Sequence, residues 1–281
     1  MEHLACSSIH STATIHNTAI IEEGAVIGAN SYVGPFCCVG PHVVLGENVR
    51  LESHVVISGD TIIGDSSAVY PFASLGGKPQ DLKYNNERSR LEIGKNTTIR
   101  EYVTANIGTE GGGMVTKIGA NCLIMAYCHI AHDCIIGNNV ILVNCVNLSG
   151  HVFVDDFAII GGMSAVKQFT RIGRHAMVGG CSGVDRDVIP YGLIRGDRPT
   201  IIKGLNIIGL KRRGFDIDEI KTMKDAYNDI FNNPNGETSL TQLVGKADEK
   251  YAGNKYVAEI IDFIKEKSKN PICTAQPTDE I

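Results

Sequence analysis

The heptapeptide from Cys128 to Cys134, CHIAHDC, carries five side chains able to bind a metal ion: two cysteines, His129, His132 and Asp133. Such a set suits zinc if the donors converge on one point. A histidine is also the commonest general base, so the same residues suit proton-transfer chemistry. The direction of each side chain decides between these, and the rest of the chain supplies it.

An aliphatic residue recurs every six positions from Ile9 through Ile15, Ile21, Ile27, Val33, Val39, Leu45, Leu51, Ile57, Ile63 and Val69 to Leu75. The period resumes at Ile93 and Ile99, and again from Ile118 to Val184. Two positions before each stands a small or β-branched residue, as at Ala25, Cys37, Cys128 and Cys134. Residues two apart in a strand share a face. Each hexad therefore reads as a short strand with both residues inward, followed by a turn that glycine (Gly28, Gly34, Gly64) permits. Three strands per coil make an all-β, triangular parallel β-helix, its coils about 4.8 Å apart.

Two segments, 76–92 and 106–117, interrupt the period and read as loops extruded from the prism. Beyond about Pro190 the pattern turns helical. Ile217, Ile220, Met223, Tyr227 and Phe231 follow a helical period, Asp216 with Glu219 forms a capping-box signature, and NNPNG closes the helix. Further amphipathic stretches cover 238–251 and 255–268, and the tail from Asn270 reads as frayed. The expected organisation is a β-helix domain over 1–190 and a helical domain over 191–281.

In this register Cys128 and Cys134 point into the core from two walls, His129 points outward, and His132 occupies an outer turn. The donors do not converge, and no metal is expected. A pair of solvated histidines remains the plain alternative. The column above His132 favours chemistry: eighteen residues on stands Gly150, and eighteen further Gln168. A base beside an unobstructed N–H suits acyl transfer, because the N–H can stabilise a tetrahedral oxyanion. Ser182 in GGCSG falls on an inward position, so that string is no nucleophile elbow. The run Lys211, Arg212, Arg213 reads as a solvated helix face or an anion site.

Composition narrows the setting. A net charge of −5 without a basic block argues against nucleic acid as a partner. No segment reaches transmembrane length, and the N-terminus lacks signal-peptide character. Nine scattered cysteines fit reduced thiols in a cytoplasmic protein.

The hexads together with QDLKY, HIAHDC, SGHV, DDFAIIGGMSAV, MVGGCSGV and GLKRRGF resemble the UDP-N-acetylglucosamine O-acyltransferase family over nearly the whole chain. That resemblance implies a left-handed β-helix in a homotrimer. It implies transfer of an (R)-3-hydroxyacyl chain from acyl carrier protein to the 3-hydroxyl of UDP-N-acetylglucosamine, the first step of lipid A biosynthesis. The phosphopantetheine of the carrier delivers the acyl chain, and no other cofactor is implied. By similarity His132 is the general base, Asp133 orients it and Gly150 donates to the oxyanion. Gln80, Asp81, Lys83, His129, His151 and Gln168 match positions lining the sugar and pantetheine cleft, Asn206, Arg212 and Arg213 positions near the nucleotide, and Gly180 the position limiting acyl length. Lys167, Ile208 and Asn106 depart from residues common in the family. Rival readings are an N-acyltransferase on the same repeat, a metal-dependent hydratase using His151 as a third histidine, which the register does not bring to the other two, and a non-catalytic scaffold.

Overall fold

The computed structural model describes residues 8–196, 200–232 and 238–275. Most hexads form two-residue strands that pair in parallel with the strand 18 residues on, as Ser8 with Val26 and Phe153 with Arg171. Among the described residues three sheets of nine, eleven and nine strands result, beginning at Ser8–Ile9, Thr14–Ile15 and Ile20–Ile21 respectively. The large aliphatics fill the interior, with Leu45, Leu51, Ile124, Ile130 and Leu148 essentially inaccessible, and Ala25, Cys37, Cys128 and Cys134 fill the narrower positions beside them. Each large aliphatic so buried contributes roughly 1.5–3 kcal/mol, so stability accumulates coil by coil.

The turns differ from the expectation in one respect. Glycines such as Gly34 and Gly64 do not carry the left-handed backbone. They sit where a Cβ would meet the next coil, 2.9 Å from the Glu52 carbonyl carbon and 2.7 Å from the Lys95 nitrogen. The positive φ angles fall instead on corner residues with side chains, including Asn30, His54, Asp133, His151 and Phe169. Corner rings then stack from coil to coil, as Phe72, Tyr102 and Tyr127 do with centroids 5.0 and 4.8 Å apart. Stacking offsets part of the backbone cost of the left-handed corner.

Both extruded loops leave the prism at one corner. The first runs from the third-sheet strand Ser74–Gly77 to the first-sheet strand Arg90–Ile93, and the second from Thr104–Asn106 to Val115–Ile118. The ladder passes beneath them, with Ile63 paired to Ile93 and Ile99 to Ile124.

At the C-terminal end the sheet outlasts the hexads. Gly192–Ile194 adds to the second sheet beside Met177–Val178, then pairs antiparallel with Ile202–Leu205. Its spacing is off the six-residue period (Val178 faces Ile194), which hid it from a periodicity argument. Among the described residues four helices follow: α1 Ile207–Arg212, α2 Ile217–Phe231, α3 Leu240–Lys250 and α4 Lys255–Lys265. The Asp216–Glu219 capping box starts α2 as expected. Most of NNPNG lies outside the described residues.

The tail is not frayed over the described residues. Asn270 and Cys273 are buried, Ile272 bridges to Asp187 and Thr274 to Ile201. The Asn270 amide donates to the Gln168 carbonyl at 2.8 Å and to Thr170 Oγ1 at 3.2 Å. These polar anchors carry no hydrophobic period, so the sequence pattern did not reveal them. Among the described residues no helix is long and apolar enough to cross a membrane.

Candidate active site

The corner that emits both loops also carries Asp133, between the third-sheet strand His129–Ile130 and the first-sheet strand Ile135–Ile136. Asp133 takes φ of 61°, a conformation aspartate tolerates better than most residues. Its N–H is held by Thr116 Oγ1 at 2.8 Å. The carboxylate is almost wholly buried and accepts three hydrogen bonds. Oδ1 accepts the Thr109 N–H at 2.8 Å, and Oδ2 accepts both the Thr109 hydroxyl and His132 Nδ1, the latter at 2.7 Å. An ionised carboxylate only accepts, so the His132 proton sits on Nδ1 and Nε2 presents its lone pair. That is the tautomer a general base requires.

His132 sits in the outer turn as expected, yet is only 5% exposed, because the two loops fold over the corner. Asp81 from the first loop brings Oδ2 to 3.9 Å from His132 Nε2. The loops are clasped to each other: Glu87 accepts the Glu110 N–H, and Asn106 donates to the Lys78 carbonyl at 2.9 Å. Above the ring, a Cβ on Gly150 would lie 2.7 Å from His132 Cε1 and Nε2, so only glycine fits there with the imidazole in this position. The Gly150 N–H donates to no described residue.

His151 also belongs to this site, against the register argument that kept it apart. Its ring lies 5.1 Å from that of His132, edge to face, with Nδ1 3.7 Å from Asp133 Oδ2. One coil of rise separates the two corners, and His151 itself takes the left-handed φ of 62° at its corner, where Asp133 does so in the coil below. Burial holds the His151 and His129 pKa values below the usual histidine value, keeping both imidazoles neutral near pH 7. His129 shares a 2.7 Å hydrogen bond with Thr104 Oγ1.

His132, Asp133 and His151 offer donor atoms within 4.8 Å of one another, a group that could hold a metal on distance alone. The donor chemistry does not fit. Both Asp133 oxygens already accept hydrogen bonds, two of them at Oδ2, and an ion on Nδ1 of His132 would have to displace the proton that Asp133 holds. The cysteines are no part of it: Cys128 and Cys134 donate to the Val143 and Ser149 carbonyls, and burial pushes their thiols up to about 11 and about 12.

The remaining candidates scatter over the prism. Gln80 and Lys83 are exposed on the first loop beside Asp81. Gln168 is exposed two coils above His132, and Lys167 beside it is exposed too. Arg213 lies on the next corner, between the first and second sheets, where it donates to the Phe157 carbonyl and meets His175 Nδ1 at 2.7 Å. Asn206 is occupied structurally: it caps α1 and donates to the His175 carbonyl. Arg212 and Ile208 are exposed on α1. Gly180 is exposed on the third corner, between the second and third sheets. One chain therefore does not bring His132, Arg213 and Gly180 together. Thr109 and Thr116 were missed, because nothing in the local sequence of a glycine-rich loop says which carboxylate it will clasp.

A parallel β-helix with a buried carboxylate–imidazole pair beside a bare backbone N–H is the framework of a hexapeptide-repeat transferase. A bacterial transferase hexapeptide model matches residues 116–150, and the second-domain model of UDP-N-acetylglucosamine O-acyltransferase matches residues 187–273. The acyl-[acyl-carrier-protein]–UDP-N-acetylglucosamine O-acyltransferase of Paracoccus denitrificans is 48% identical over 74% of this chain and 77% of its own length. That of Sinorhizobium fredii is 46% identical over 76% and 77%. A crystal structure of a UDP-N-acetylglucosamine acyltransferase superposes with TM-score 0.89 at 39% identity, covering 94% of this chain and 99% of its own. The Campylobacter jejuni UDP-N-acetylglucosamine acyltransferase gives 0.87 at 38% identity, covering 94% and 100%. The chain belongs to the UDP-N-acetylglucosamine O-acyltransferase family, and its fold is the left-handed parallel β-helix with a helical C-terminal region, an exception to the usual crossover hand.

Proposed function

We propose that this protein transfers an (R)-3-hydroxyacyl group from acyl carrier protein to the 3-hydroxyl of UDP-N-acetylglucosamine, the opening step of lipid A biosynthesis, in the cytoplasm. The observation that carries the mechanism is the pairing of His132 Nδ1 with buried Asp133 beside Gly150. Nε2 of His132 takes the proton of the sugar hydroxyl as its oxygen attacks the thioester carbonyl. The oxyanion accepts from the Gly150 N–H, which has no competing acceptor among the described residues. Collapse expels the pantetheine thiolate, which recovers the proton from the imidazolium. Asp133, hydrogen-bonded to Nδ1, stabilises that imidazolium. The acyl chain arrives on phosphopantetheine, and no metal or further cofactor enters.

His151, His129, Asp81, Gln80, Lys83 and Gln168 surround the base and would orient sugar and pantetheine. Asn206, Arg212 and Arg213 would face the nucleotide, and Gly180 the acyl end. Their distribution over three corners of one prism supports a homotrimer, in which corners of neighbouring copies form each cleft. Exposed Tyr127 and Met163 on the Gly180 corner give that contact an apolar surface. The test is to incubate purified protein with UDP-N-acetylglucosamine and 3-hydroxyacyl carrier protein, following the ester product, with light scattering alongside. Ester formation by a trimer is expected. No transfer to the 3-position, or full activity of a monomer, would overturn the corresponding part.

A further inference from the structure

The ring stack that begins at the base does not end at His151. Phe169, one coil higher, lies parallel to the His151 ring with centroids 4.4 Å apart, and Lys269 sets its Nζ 3.6 Å from the Phe169 centroid. A cation thus closes a continuous column that starts at His132. Lys269 is not a loose surface lysine. The next residue, Asn270, is buried and fixed to Gln168 and Thr170, and Cys273 beyond it has no exposure. The lysine stem is pinned at one end by that anchor and packed on an aromatic face at the other. Lys167 directly precedes Gln168, whose carbonyl Asn270 holds. Both lysines are exposed, and neither pairs with a carboxylate among the described residues. Two cations therefore flank the Asn270–Gln168 hydrogen bond in the chain, Lys167 next to Gln168 on the prism and Lys269 next to Asn270 on the C-terminal segment, with Lys269 placed on the end of the catalytic column.

We propose that Lys269, with Lys167, forms an anion subsite for a phosphate group of the substrates, aligned with the base through Phe169 and His151. The proposal rests on the acyl-transfer reading above, whose two substrates each bring phosphate: the phosphodiester of the carrier arm and the diphosphate of the nucleotide. An ammonium held on an aromatic face is pre-organised, so less conformational freedom is lost when it captures an anion. Either phosphate docked here would be held at a fixed remove from the imidazole, setting where the attached thioester or sugar falls.

Lys269→Met tests it, since methionine keeps an apolar stem over Phe169 and removes only the charge. Wild-type turnover establishes the reaction first, so that its absence would count against acyl transfer itself and not against the subsite. Given turnover, Lys269→Met and Lys167→Met are each expected to raise one KM by about fivefold to tenfold with kcat little changed, the effect fading at high ionic strength. A rise in KM for the acyl carrier protein, matched by weaker calorimetric binding of free acyl-phosphopantetheine, assigns the carrier-arm phosphate. A rise in KM for the sugar nucleotide, matched by weaker binding of UDP, assigns the diphosphate. Unchanged KM values and unchanged binding of both probes in a folded Lys269→Met protein overturn the proposal.

Discussion

Replacing Gly150 by alanine adds one methyl group at the most crowded point of the site. The added Cβ would stand 2.7 Å from both Cε1 and Nε2 of His132. Ordinary carbon contacts lie near 3.5–4.0 Å, so the two groups must separate by roughly 1 Å. The imidazole cannot simply swing away, because Nδ1 is tied to Asp133 at 2.7 Å and Thr109 holds that carboxylate through both oxygens. Either the ring tilts and Nε2 leaves the line of attack, or the Gly150 turn recedes and carries its N–H from the oxyanion. A misplacement of about 1 Å costs on the order of 10²-fold in rate, and losing an oxyanion donor costs on the order of 10²–10³. Gly150→Ala should therefore lower kcat by at least about 10²-fold, with an overpacking cost of about 1–3 kcal/mol read as a lower Tm. Steady-state kinetics with acyl carrier protein and the sugar nucleotide, beside a thermal melt, measure both. Near-wild-type kcat in a folded variant would show that this backbone position has no part in the reaction.

Thr109→Val removes the hydroxyl bond to Asp133 while leaving the backbone bond. Such a charge-assisted bond is worth about 1.5–3 kcal/mol, so kcat should fall about tenfold or more and Thr109→Ser should restore it. His175 is buried among Phe157, Tyr191 and Arg213, and burial lowers its pKa to about 4. The unfolded chain then binds the extra proton first, so this residue's contribution to stability is intact above about pH 6.5 and is lost as pH falls toward 4. Melts across that window should show the decline, and His175→Asn should flatten it. Gly180 is exposed, with the Gly162 carbonyl 3.2 Å from its would-be Cβ. Gly180→Met should shift acyl preference toward shorter chains in a ten- to sixteen-carbon series, each excluded methylene costing about 0.8 kcal/mol; an unchanged profile would assign the limit elsewhere.

The prism was legible because its signal is periodic: Ile27, Leu45 and Ile63 bury for the same reason at the same spacing, and the inward cysteines follow from that register alone. The column linking His132 to Gly150 followed from the same arithmetic. What the period could not show is what the aperiodic segments do. The loops after Ser74–Gly77 and Thr104–Asn106 leave from the His132 corner, and only their folding over it makes the base buried and supplies Asp81 and Thr109. His151 joins the site through a left-handed corner backbone that a strand-by-strand count does not represent. Asn206 and Asn270 likewise owe their positions to pairs of side-chain hydrogen bonds, which leave no pattern in a sequence.

The central claim is that His132 Nε2 removes the sugar proton, and the single-turnover rate of His132→Ala tests it most directly. Because the side chain is buried, the variant must first be shown folded by its melting transition. A drop of roughly 10²–10⁴ in the rate of acyl transfer, with both substrates still bound, is the predicted result. A folded His132→Ala protein that transfers the acyl chain at close to the wild-type rate would contradict the account.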